Sequence, residues 1–202
     1  MKALRIGTLT VAAGLVLSVL GGCAFKEDKV GLWSSDGEID FEQRQTIEDY
    51  QTITEPLITA FVADLAKHNG GLVRYYDDPG LGGCGRLDVD GWVIDSRSYR
   101  LPIVDEDTVI RLADKHLVPA GLTVPSQARS SKPNDNVNLT WKDTQNGGYV
   151  SVTLVPDHQG MSISYASGCR PSDGTTTQPD QFHPNRDTDS AFTNLTVEVL
   201  EE

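Results

Sequence analysis

The sequence predicts a two-layer α+β domain, with two main helices packed on an antiparallel sheet of four to six strands and one disulfide. Three observations carry that expectation. An apolar stripe with helical spacing runs between Phe41 and His68. Three segments between Val137 and Tyr165 alternate apolar and polar residues and are separated by turn sequences. Two cysteines, Cys84 and Cys169, are left to pair once Cys23 has another use.

The N-terminus fixes that other use. Lys2 and Arg5 precede an apolar run from Leu9 to Leu20, and Leu20-Gly21-Gly22-Cys23 follows. An aliphatic residue, two small residues and a cysteine form a lipobox: the glycines let a peptidase reach the backbone, and the Cys23 thiol takes the diacylglycerol. An ordinary secretory signal or a transmembrane helix are the competing readings. The run is shorter than the roughly 20 residues a spanning helix needs and lacks a basic stop-transfer flank. Residues 1–22 are therefore read as a lipoprotein signal, and 23–42 as the lipidated start and a flexible tether. The anchor is to the cell membrane, with the chain facing the extracytoplasmic side.

The totals agree. Without residues 1–22 the chain keeps 180 residues, enough for one domain with a proper core. It then holds 15 basic and 29 acidic residues, a formal charge of −14. No run of Lys and Arg exists to grip phosphates, which argues against nucleic acid as a partner. Attachment to the membrane falls to the acyl chains rather than to a polybasic patch. With Cys23 lipidated, Cys84 and Cys169 should pair in an oxidising compartment, closing a long loop.

In the tether, Trp33 reads as an isolated surface aromatic rather than a docking residue. In the first helix, Ile47, Tyr50, Ile53, Leu57, Phe61 and Leu65 recur at spacings of three and four. Packing on the domain's own sheet is favoured over binding a partner. Pro56 leaves two arrangements open: a helix bent near it, or a second helix capped by Thr54. Asn69-Gly70-Gly71 ends the helix.

Leu72–Tyr76 reads as a short strand, and Asp77–Gly85 as a loop by composition. Adjacent Asp77 and Asp78 point to opposite sides of an extended chain, so turn chemistry explains them better than metal ligation. Cys84, set among glycines, is better read as a disulfide partner than as a nucleophile.

Gly91–Leu101 reads as a strand with mixed faces. A second helix begins at Asp105-Glu106-Asp107-Thr108, with Ile110, Ala113 and Leu117 as its stripe and His116 as a C-terminal cap. After a polar loop from Ser126 to Asn136, the meander follows. Val137, Leu139 and Trp141 form its first greasy row, Asn146-Gly147-Gly148 turns the chain, and Val150, Val152 and Leu154 continue it. Pro156–Gly160 turns it again into Met161, Ile163 and Tyr165. The wet face carries Ser, Thr and Asn, as a solvated sheet or a shallow binding surface. Residues 170–190 read as a mobile polar segment, and Leu195, Val197 and Val199 as a returning edge strand.

The segment Tyr76-Asp77-Asp78-Pro79, Cys84 and Gly168-Cys169, in this order of elements, resembles the LppA-like lipoproteins of mycobacteria and related actinobacteria. The resemblance spans residues 43–171, leaving 172–202 as a polar loop and edge strand outside it. It implies an envelope lipoprotein with a small α+β domain and a Cys84–Cys169 bridge, and it carries no catalytic residues over.

The function expected is thus a membrane-anchored cell-envelope lipoprotein with a non-catalytic binding or accessory domain, without cofactor or metal. Its partner is an envelope protein or small ligand. The alternatives are a carrier of an envelope lipid or other small ligand, and a wall- or lipid-active hydrolase. A hydrolase needs a nucleophile–base pair or paired carboxylates. His68, His116, His158 and His183 lie in no such motif, and the last two lack metal-ligand spacing.

Overall fold

The structure is a computed structural model and describes residues 37–76, 80–84, 91–96, 98–129, 136–175 and 191–201. The lipobox, Trp33, Asp77 and Asp78 lie outside the described residues, as does His183.

Helix α1 (Ile47–Asp49) opens on Thr46, whose hydroxyl accepts the Asp49 N–H at 3.2 Å. It runs without a break through a π-helical turn, Tyr50–Thr54, into α2 (Glu55–His68). Pro56 sits in the first turn of α2, and the wide turn before it accommodates the amide donor that proline lacks. Thr54 is not a cap, because its hydroxyl donates to Gln45 Oε1 at 3.1 Å.

The π turn also shifts the helical phase. The buried side becomes Ile47, Tyr50, Thr54, Ile58, Phe61, Val62 and Leu65, while Ile53 is 57% exposed. The stripe read at constant period therefore fails at Ile53 and holds again from Phe61.

Helix α3 (Glu106–His116) starts where its acidic cap predicts, with Asp105 Oδ1 accepting the Thr108 N–H at 2.8 Å. Its buried residues are Val109, Leu112, Ala113 and His116, with Leu117 just beyond; Ile110 is only partly covered. Gly121, at φ +84°, closes the segment in a conformation that suits glycine.

The strands are β1 (Leu72–Tyr76), β2 (Gly80–Gly83), β3 (Gly91–Asp95), β4 (Ser98–Pro102), β5 (Thr123–Arg129), β6 (Val137–Lys142), β7 (Tyr149–Val155), β8 (Gly160–Ala166), β9 (Arg170–Pro171) and β10 (Thr196–Leu200). They join in one sheet whose main path is β10-β1-β4-β8-β7-β6-β5, with β2, β3 and β9 attached beside β8. The α+β class, the two main helices and the disulfide are as the sequence predicts.

The sheet is larger than the four to six strands expected, and it is mixed, because β10 runs parallel to β1. Three additions, together with the division of Gly91–Leu101 into β3 and β4, account for the difference. Gly80–Gly83, inside the segment read as a loop, pairs with β3 through its backbone. The supposed polar loop from Ser126 starts as β5, an antiparallel neighbour of β6. Arg170–Pro171, read as the start of a mobile segment, pairs with Trp92 and Gly91.

The mixed faces of 91–101 have a geometric cause. Ile94 and Ser96 are buried before the break, Tyr99 and Leu101 after it, so the inward side changes parity. Ser96 repairs the ladder there: its N–H donates to Tyr165 O, and its Oγ accepts the Tyr165 N–H, both at 2.8 Å.

One face of the sheet packs on the helices. Val73, Tyr99, Leu139, Trp141, Val150, Val152, Ile163 and Tyr165 meet Ile58, Phe61, Leu65, Val109 and Leu112 in one buried cluster. Phe61 and Trp141 meet edge to face at 6.1 Å. Phe192, ahead of β10, packs edge-on to Tyr99 at 6.0 Å and so ties the C-terminal strand to this core. Cys84 and Cys169 are bonded with Cα atoms 5.8 Å apart, joining the end of β2 to the start of β9.

Candidate functional site

Three polar assemblies stand out, and their partners separate scaffold from surface. The first is buried. Arg170, 1% exposed, donates from Nε to Ser167 O at 2.7 Å and from Nη1 to Gln45 Oε1 at 3.0 Å. Its Nη2 reaches Asp143 Oδ2 at 3.2 Å and Gly147 O at 3.1 Å, and the guanidinium lies 4.7 Å from the centre of the Tyr50 ring. Burial draws its pKa down, opposed by Tyr50 and Asp143. Asp143 is held in turn by the N–H groups of Gln145 and Asn146.

Arg44 works beside it. It donates to Gly37 O, Ile39 O and Cys169 O, so it fastens residues 37–39 to the segment after β8. Glu38 N–H adds a bond to Thr144 O at 2.8 Å. Residues 37–42, expected as the end of a flexible tether, are therefore docked.

Nearby, the Tyr165 hydroxyl donates to Glu55 Oε1 at 2.6 Å, both groups buried. Burial first, and then the charge of Glu55, pushes the pKa of both Tyr50 and Tyr165 well up. The Tyr50 hydroxyl and the Trp141 indole N–H are buried without a hydrogen-bond partner among the described residues.

The second assembly joins the helices. Asp64 on α2 accepts from Lys67 at 3.1 Å, Lys115 at 2.7 Å and His116 Nε2 at 2.8 Å. Burial alone would raise its pKa, yet these three partners hold it well below the usual carboxylate range. His116, expected as a cap of its own helix, thus binds across the helix pair.

The third assembly is the outer face of the sheet. Register places Asn138, Thr153, Ser162, Arg100, Arg74 and Glu198 in one row across six strands. Thr140, Ser151 and Ser164 form a second row, and Lys142, Tyr149, Ala166 and Asp95 a third. Thr153 Oγ1 donates to Asn138 Oδ1 at 2.7 Å. Loss of solvent raises the Asp95 pKa, and burial followed by Asp95 raises that of Tyr149.

Arg74 Nε donates to Glu198 Oε2 at 2.6 Å. Arg100, directly opposite Arg74, is exposed and has no hydrogen-bond or ion-pair partner among the described residues. A surface of hydroxyls, amides and one uncompensated guanidinium can hold a polar ligand by hydrogen bonds.

Of the residues singled out from sequence, Cys84 and Cys169 are joined, while Cys23 lies outside the described residues. His68 and His158 are exposed, while His116 is bonded to Asp64. Among the described residues, no three His, Cys, Asp or Glu groups stand close enough to hold a metal ion. No described helix is long and apolar enough to cross a membrane. Sequence reasoning missed Arg170, Arg44, Glu55 and Arg100. The one signal for Arg170 was its place next to Cys169, which the disulfide anchors.

Residues 43–178 match the model of a family described as Domain of unknown function (DUF4853). A search of curated proteins finds no match. Among solved structures, the crystal structure of a DUF4853 family protein from Actinomyces odontolyticus ATCC 17982 is similar at 19% identity and a TM-score of 0.55. It covers 71% of this chain and 79% of that one, and at this identity the likeness concerns the fold alone.

Proposed function

The chain belongs to the family described as a domain of unknown function, DUF4853, and from that premise we propose that it is a membrane-anchored lipoprotein of the cell envelope with a non-catalytic binding domain. The observation that carries the reading is Leu20-Gly21-Gly22-Cys23 after a basic start and an apolar run. Acylated Cys23 holds the chain at the extracytoplasmic side of the cell membrane, and the outer face of the sheet meets the partner. The hydroxyl and amide rows of that face, with Arg100 unpaired among the described residues, support its use as a contact surface. The kinship to LppA-like lipoproteins is part of this proposal and rests on Tyr76–Pro79, Cys84 and Gly168-Cys169.

A second reading, a carrier of a small envelope ligand, is favoured by one observation. The Tyr50 hydroxyl and the Trp141 N–H are buried without a hydrogen-bond partner among the described residues, and a polar guest reaching them would satisfy them.

The test is to crosslink the lipidated protein in its native envelope and identify what it retains. A reproducible envelope component recovered with the wild type and lost with a Cys23→Ala variant supports the anchored binding role. A co-purifying lipid held inside the domain supports the carrier. An equal yield from Cys23→Ala, with that variant still partitioning into detergent, contradicts the anchor.

A further inference from the structure

Arg74 and Arg100 are cross-strand partners on the outer face of β1 and β4. Like charges placed directly opposite destabilise a strand pair. Glu198 relieves only one of them: it draws Arg74 Nε toward β10 at 2.6 Å, away from Arg100. Arg100 is left exposed and unpaired among the described residues.

Its surroundings are hydroxyls. Ser162 is its partner on β8, Ser98 lies two residues along its own strand, and Ser164 is diagonal to it. Tyr76, half-buried, stands opposite Ser98. An arginine fork matches a carboxylate or phosphate in two parallel hydrogen bonds, which a lysine cannot do.

The charge of the whole chain, −12, narrows the ligand further. A dense polyanion would be repelled by that field, whose reach is about 8 Å at physiological salt. A ligand bearing isolated negative groups on a neutral, hydroxyl-rich frame suffers far less. The serine bed hydrogen-bonds such a frame, and the Tyr76 ring offers it an apolar edge.

From these placements we propose that Arg100, with Arg74, Ser98, Ser162 and Tyr76, forms a subsite for an acidic glycan, Arg100 pairing with a carboxylate or phosphate on the sugar. This rests on the reading of the outer face as a binding surface and names what that face selects.

The test uses the full lipidated chain in detergent. Binding is measured for a glucuronate-containing oligosaccharide, its carboxyl-reduced neutral counterpart, a phosphorylated oligosaccharide and inorganic phosphate. An acidic oligosaccharide should bind roughly tenfold or more tightly than the neutral one, the size expected of one charge-assisted pair. Arg100→Gln should remove that preference, Arg100→Lys should restore part of it, and affinity should fall as salt rises. Whichever acidic sugar binds better identifies carboxylate or phosphate as the group read.

Equal binding of acidic and neutral sugars, an unaltered Arg100→Gln variant, binding of phosphate alone, or no binding at all would overturn the inference. A photoreactive residue at Thr153 separates the two levels. Envelope material captured equally by wild type and Arg100→Gln leaves the surface reading standing and rejects the glycan subsite; no capture from Thr153 rejects the surface itself.

Discussion

At Arg170 the chain concentrates much of its polar order in one buried side chain. Its guanidinium touches the residues before α1, the β6–β7 turn and the turn after β8. Replacing it by Met leaves Asp143 buried beside an apolar group, so unfolding in urea should show a loss of about 3–5 kcal/mol. Arg170→Lys should recover little, since an ammonium cannot span the three acceptor directions of the planar fork. Asp64 behaves differently because its partners are partly solvated. Its pKa is lowered on folding, so the stability it contributes is present above the ordinary carboxylate range and is lost as pH falls below it. Asp64→Asn should cost on the order of 1 kcal/mol near neutral pH. The gap to wild type should narrow progressively in melts run at pH values falling from about 4, and close only once the pH lies below the lowered folded-state value. Neither residue was legible in the sequence. Arg170 opens a polar, proline-punctuated stretch, and its place beside Cys169 is the one local sign that it is drawn inside. Asp64 and His116 are far apart in the chain, and only the packing of two helices unites them.

The elements themselves were more legible where one face is buried and the backbone regular. The alternation from Val137 to Tyr165 gives β6, β7 and β8 directly, because each greasy row has a helix-covered core to enter. The elements missed lack that signature. β2 is nearly all glycine and pairs through its backbone, and β9 has two residues. The first helix was found, but its period was read as constant, and the π turn before Pro56 moves Ile53 to the surface. Two predictions belong here. Gly148, at φ +99°, would place a Cβ 2.5 Å from Ala166 O, so Gly148→Ala should destabilise by about 2 kcal/mol or more in thermal or urea melts. The Cys84–Cys169 bond spans 85 positions, and its removal by paired serine substitutions should cost on the order of 4 kcal/mol by the loop-entropy account. Peptide mapping without reductant should recover the linked pair.

For the whole molecule, the folded part has one greasy sheet face covered by helices and one polar face turned outward. The C-terminal segment belongs to that folded part, since β10 adds to β1 and Phe192 enters the core. A truncation before residue 191 should therefore uncover Val73 and Tyr99 and lower the melting temperature by several degrees. The most direct test of the central claim is photocrosslinking in intact envelopes. Lipidated protein would carry a photoreactive residue at Thr153, on the outer sheet face, or at Arg111, on the solvent side of α3. A discrete adduct is expected from Thr153 and none from Arg111. Adducts from Arg111 alone, or equal labelling from both positions, would contradict the outer sheet face as the binding surface.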